Sequence, residues 1–215
     1  MNAGILRQVF ERMFEAYGPQ HWWPADTPFE VMVGAVLTQN TAWSNVEKAI
    51  AELKRRDKLE AGAIARSRHD HLAAWIRPSG YYNVKAKRLK ALCQWYLDHG
   101  EYRNLNAWAT RELRHALLEV HGIGPETADD ILLYAFQRPV FVIDAYTRRL
   151  FSRLGLCERE VGYETLRHAL ESALGPDVRL FNEYHALIVR HAKVSCRVKP
   201  LCEDCVLRSR CPRVW

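Results

Sequence analysis

His121-Gly122-Ile123-Gly124-Pro125-Glu126-Thr127-Ala128 joins two helices by a very short turn. A helix ends near Val120, two glycines permit a backbone with positive φ, and Pro125 starts the next helix, where its missing N–H costs nothing. A helix N-terminus reached so abruptly points unpaired N–H groups outward, which makes a natural seat for one phosphate. The same eight residues also suit an ordinary connection within a helical bundle.

Helical signals continue on both sides of this turn. Thr27-Pro28-Phe29-Glu30 reads as a capping box, with Thr27 as N-cap, Pro28 at the first helical position and Glu30 reaching back. The helix it opens, Phe29 to Leu37, is apolar almost all round and is predicted to run through a core. From Asn83 to His99, residues Val84, Leu89, Leu92, Cys93, Tyr96 and Leu97 share one face, with Lys85, Lys87, Arg88 and Lys90 on or beside the other. Further helices are predicted near 4–16, 43–55, 69–76, 110–118, 125–136, 145–153, 163–173 and 178–191. Pro139-Val140-Phe141-Val142-Ile143 is strand-like but isolated, and a lone strand has nothing to pair with. The expectation is an all-α protein, with any boundary between lobes at Gln137-Arg138-Pro139.

The 215 residues suffice for a real core, and an apolar share of 48% against 26% charged excludes a disordered chain. No apolar run approaches the roughly 20 residues of a membrane helix. The first residues lack the pattern of a secretory signal, so a cytoplasmic, nucleoid-associated protein is expected. The net charge of +6 favours a polyanionic partner.

Two further groups could carry chemistry. Asp144, in Ile143-Asp144-Ala145-Tyr146-Thr147, follows an apolar run and precedes a helix, which makes it an N-cap. A carboxylate there is held ionised by the helix dipole and can stabilise a developing positive charge or orient a water. Cys196, Cys202, Cys205 and Cys211 crowd into the last twenty residues, spaced C-x5-C-x2-C-x5-C, and read as a metal site rather than disulfides. Zinc and a [4Fe–4S] cluster would both accept four thiolates. Cys93 and Cys157, each inside an apolar segment, read as buried thiols.

Taken in order, Leu37-Thr38-Gln39-Asn40-Thr41, Gly80-Tyr81-Tyr82-Asn83-Val84-Lys85-Ala86, the Gly122–Ala128 hairpin, Val142-Ile143-Asp144 and the cysteine loop resemble the endonuclease III superfamily of helix-hairpin-helix DNA glycosylases. The resemblance spans residues 22 to 211. It implies two all-α lobes with damaged double-stranded DNA bound at the cleft between them: a six-helix barrel over 23–136, and residues 1–22 with 137–215 carrying an iron–sulfur, [4Fe–4S], cluster. The first cysteine spacer is one residue shorter than the family's common C-x6-C. The resemblance also implies base flipping and excision, with Asp144 as the catalytic acid residue. It places Gln39, Asn40, Tyr81, Gly122, Gly124 and Thr127 against DNA, with Asn40 filling the vacated stack and Tyr81 wedging beside the opposite base. Such insertions partly offset a flipping cost of a few kcal/mol. The protein is expected to act as a monomer.

Endonuclease III proper has a lysine two residues after the second hairpin glycine, where this chain has Glu126, and no lysine occurs between Lys90 and Lys193. A monofunctional glycosylase that uses water rather than a Schiff base is therefore expected. Trp22-Trp23-Pro24 and the aromatic Trp43 after Gln39-Asn40-Thr41 resemble the 3-methyladenine branch of the superfamily. There the indoles sandwich the damaged base and a glutamate at the Glu126 position lines the pocket. Alkylated purines are cationic, leave readily and stack well on electron-rich rings. The alternatives are an endonuclease III-like glycosylase for oxidised, deaminated or mismatched pyrimidines, and a non-catalytic module that binds damaged DNA.

Overall fold

The structure, a computed structural model, describes residues 1–213. Its described residues form α-helices, one 3-10 turn and one π-helical turn, and no strand. The chain divides into two compact units, one formed by Met1–Pro24 with the chain from Gln137 onward, the other by Ala25–Phe136.

The Ala25–Phe136 unit is built around α2 (Pro28–Leu37). The Thr27 hydroxyl accepts from the Glu30 amide at 3.1 Å, and the Glu30 carboxylate reaches back to the Asp26 amide at 3.1 Å. Every residue from Glu30 to Leu37 is buried. Glu30 tolerates burial because Lys54 of α3 (Trp43–Arg55) stands 2.7 Å from it. The short helices α4 (Ala61–Arg66) and α5 (His69–Trp75) pack on α6 (Tyr82–Asp98), followed by α7 (Glu101–Leu105) and α8 (Thr110–Leu118). Helices α4 and α7 were not expected, since five or six residues are too few for periodicity to show. The helix expected over 125–136 is α9 (Pro125–Asp130) continued by a π turn, Ile131–Ala135, which is buried against α2.

Helix α6 corrects the expected faces at its start. Val84 is 45% exposed, whereas Lys85 is 1% exposed and counts among the largest fully buried side chains. The first turn of α6 meets backbone carbonyls rather than apolar side chains. The Lys85 ammonium donates to Leu37 O at 2.8 Å and to Ser79 O at 2.6 Å. A donor is worth more there than a methyl group, because a buried carbonyl without a partner costs about 1–3 kcal/mol. Burial, helped by the Arg88 charge, lowers the Lys85 ammonium to about 8.

The other unit packs α1 (Ala3–Tyr17) on α11 (Tyr163–Leu174) and α12 (Val178–Val194), and α10 (Ala145–Arg153) on α12. Tyr184 sits at its centre, its ring edge-on to Phe141 and Phe151 and its hydroxyl donating to Leu6 O at 2.8 Å. The apolar run Val140–Ile143 crosses this core in extended form without a strand partner. Side chains satisfy two of its amides, Phe141 N donating to Glu171 at 3.0 Å and Ile143 N to the Tyr163 hydroxyl at 3.4 Å, while Val140 N donates to Arg138 O at 2.8 Å. Cys93 is fully buried and its thiol is pushed up to about 12, but Cys157 is only half-buried, contrary to expectation, because it lies in the turn after α10 rather than on a packed face.

Candidate active site

Asp144 is the N-cap of α10. Its backbone is extended, and its Oδ1 accepts from the Thr147 amide at 2.7 Å. The side chain keeps 12% exposure. The other oxygen, Oδ2, lies 3.5 Å from Nε2 of His185, carried by α12. Burial, the largest influence, works against the charged carboxylate. The imidazole of His185, with the Thr147 amide and hydroxyl, outweighs it and holds Asp144 below the usual carboxylate range. The acid is thus ionised at neutral pH. His185 was not anticipated. Its one sequence signal is a histidine on the apolar face of a helix, which more often marks a satisfied core residue.

The DNA-facing candidates all lie in the Ala25–Phe136 unit, on three turns. Asn40 is exposed with φ +54°, just beyond the end of α2. Tyr81 is 71% exposed with φ +44° and directly precedes α6. The third turn is the hairpin between α8 and α9, where Gly122 has φ +85° and Gly124 is extended. A Cβ on Gly122 would stand 2.3 Å from Arg88 Cγ, so glycine is required there, whereas one on Gly124 would meet nothing within 4 Å. Gln39 ties the first turn to the third, since its amide nitrogen donates to Gly122 O at 3.1 Å and to the Thr127 hydroxyl at 2.9 Å. Arg88 in turn donates to Oε1 of the Gln39 side chain. Thr127 is buried, so its hydroxyl serves Gln39 from within.

The aromatic candidates divide between the units. Trp22 and Trp23, half-buried, are neighbours with ring centroids 5.0 Å apart and tilted by 46°. Trp43 opens α3, half-buried, and its indole N–H donates to Glu47 at 3.0 Å. Glu126 is exposed in the first turn of α9.

Cys196 follows the end of α12, and all four clustered cysteines are free thiols lining one small cavity with Leu150, Leu154 and Leu207. Burial, and then the charges of the neighbouring thiolates, raise Cys205 and Cys211 above the ordinary thiol range. Arg153 donates to Cys196 Sγ at 3.4 Å and Arg149 to Cys196 O at 2.8 Å. Among the described residues no three His, Cys, Asp or Glu side chains stand at metal-holding geometry. The donor set nonetheless fits a four-thiolate centre: four thiols and no carboxylate line the cavity, with His191 Nε2 3.7 Å from Cys205 Sγ, and a cation would relieve the repulsion among the thiolates.

Residues 33–176 match the family model of the HhH-GPD superfamily base excision DNA repair protein. A candidate DNA repair glycosylase of Methanocaldococcus jannaschii is 45% identical over 212 residues, 96% of each chain. Endonuclease III of Thermotoga maritima is 28% identical over 86% of this chain and 82% of its own. Among solved structures, the 3-methyladenine DNA glycosylase of H. pylori bound to 1,N6-ethenoadenine superposes with a TM-score of 0.76 at 32% identity, covering 90% of this chain and 98% of that one. An endonuclease III–DNA complex shares the fold, with a TM-score of 0.83 at 20% identity over 99% and 96%. With an ionised acid at a helix N-terminus and a glycine hairpin tied to its neighbouring turn, the chain belongs to the helix-hairpin-helix DNA glycosylase superfamily of base excision repair.

Proposed function

We propose that the protein excises alkylated purines from double-stranded DNA by hydrolysis, without a covalent enzyme–sugar intermediate. The observation that carries this reading is Asp144, a carboxylate kept ionised by His185 and Thr147 in a chain with no lysine between 90 and 193. Lys85 and Lys90 do not supply the missing amine, since each donates to two backbone carbonyls. The C1′–N bond of the flipped nucleotide breaks with its electron pair leaving on the base. An alkylated purine is cationic before this step and neutral after it, so no proton need be delivered. Asp144 stabilises the positive charge that grows on the sugar, water adds to C1′, and the released proton passes to the carboxylate. Trp22, Trp23 and Trp43 stack on the cationic base, Glu126 lines its pocket, and the hairpin amides at Gly122 and Gly124 hold one phosphate. The similarity to the H. pylori 3-methyladenine glycosylase supports this substrate class.

A panel of lesion duplexes, incubated with and without hot alkali, tests the proposal. Free methylpurine and strand breaks that appear only after alkali are expected. Borohydride trapping of the protein on DNA, or release of oxidised or mismatched pyrimidines alone, would overturn it.

Cys196, Cys202, Cys205 and Cys211 are the residues we assign to a [4Fe–4S] cluster. When bound, it cross-links the loop and supplies a one-electron couple. Visible charge-transfer absorption with iron by elemental analysis is expected, and zinc in its place would reject the assignment.

A further inference from the structure

Lys85 is a fully buried cation that the excision chemistry does not use. Its two acceptors belong to the two segments that carry the left-handed, exposed residues Asn40 and Tyr81. Leu37 O lies three residues before Asn40, at the end of α2, and Ser79 O lies two residues before Tyr81, at the end of the 3-10 turn Arg77–Ser79. The carbonyl end of α2 also favours a cation by its dipole. Each turn also has bonds of its own, Thr41 N to Thr38 O at 3.1 Å and Gly80 N to Arg77 O at 3.2 Å, and Gln39 holds the first to the hairpin, whereas Lys85 bridges the two turns to one another. The α6 N-cap makes no side-chain hydrogen bond, and Gly80 before it has φ +67° with nothing near its missing Cβ. One helical turn later Arg88 holds Gln39, which holds the hairpin.

We propose that Lys85 is a positioning residue that fixes the separation of the Asn40 and Tyr81 turns, so that both side chains enter the duplex as one rigid pair. This rests on the reading that these two residues insert into DNA. Two carbonyls facing one another need a donor that serves both at once. An ammonium does so, and a thioether of similar length cannot. If the pair enters as a unit, losing the strut blurs both insertions while leaving the hairpin's phosphate contact and the Asp144 chemistry in place.

The test compares wild type with Lys85→Met on two substrates, an alkylated purine in a fully paired duplex and the same lesion opposite an abasic site, where flipping is easier. A 2-aminopurine beside the lesion reports unstacking by its fluorescence. For the variant we expect duplex affinity within about threefold of wild type, and a single-turnover rate on the paired lesion lower by roughly tenfold to a hundredfold, the scale of an ångström's misplacement. The fluorescence rise should be lost, and most of the rate should return opposite the abasic site. Equal loss on both substrates, or an unchanged fluorescence rise, overturns the proposal. A second arm keeps Lys85 and needs no variant of it: Asn40→Ala and Tyr81→Ala, singly and together. Non-additive losses are expected of a rigid pair, and strict additivity overturns it. If neither alanine variant alters the fluorescence, insertion itself is refuted. If wild type releases no base at all, the excision reading fails separately.

Discussion

At the residue scale the proposed mechanism rests on Asp144, with His185 beside it at 3.5 Å. Asp144→Asn keeps the N-cap geometry but removes the charge, and should lower the single-turnover rate by roughly 10²- to 10⁴-fold while the fold is unchanged by circular dichroism. The folded carboxylate titrates below its unfolded value. It therefore contributes stability above the unfolded pKa, and loses that contribution as pH falls through the folded one. The acid limb of the rate profile should accordingly lie below about pH 4, the ordinary aspartate value. His185→Ala removes the partner at 3.5 Å, so that limb should move upward in pH. An unmoved limb would mean the Thr147 contacts alone hold the charge. Asp144 was legible in the sequence because an N-cap is a matter of four consecutive residues. His185, 41 positions further on, was not.

At the scale of elements, the hairpin separates two glycines that look alike in sequence. Gly122 has φ +85° and sits against Arg88, so Gly122→Ala should destabilise the Ala25–Phe136 unit by about 1–3 kcal/mol in denaturant titrations. Gly124 is extended and its missing Cβ faces open space. Gly124→Ala should therefore leave stability within about 0.5 kcal/mol, as substitutions away from such features usually do, but weaken binding to duplex DNA if a phosphate approaches there. Equal thermal midpoints for the two variants would contradict this division. Helix α6 shows the opposite limit of pattern reading. Its periodicity gave Leu89, Leu92, Cys93 and Tyr96, all buried, but Leu97 is half-buried and the first turn is reversed, with Val84 exposed and Lys85 buried. Periodicity counts apolar side chains and is blind to a pair of backbone carbonyls waiting for a donor.

At the scale of the whole molecule, the four cysteines fall in one unit and the hairpin in the other. Removing the proposed metal centre, by chelation or by Cys202→Ser, should lower the melting temperature of the unit containing α10 and α12 and increase proteolysis of the 196–211 loop. The Ala25–Phe136 unit should stay protected in hydrogen exchange. Equal loss of protection in both units would refute a local role for the loop. Most of the helices, the N-cap acid, the hairpin turn, the missing lysine and the grouping of the thiols were all determined by the sequence itself. Each depends on residues within a few turns of one another, where covalent geometry and local hydrogen bonding leave little choice. The partner of Asp144, the burial of Lys85 and the bond from Gln39 to Thr127 join residues 41, 48 and 88 positions apart. Only packing decides which helix ends meet, and therefore which buried polar groups must satisfy one another.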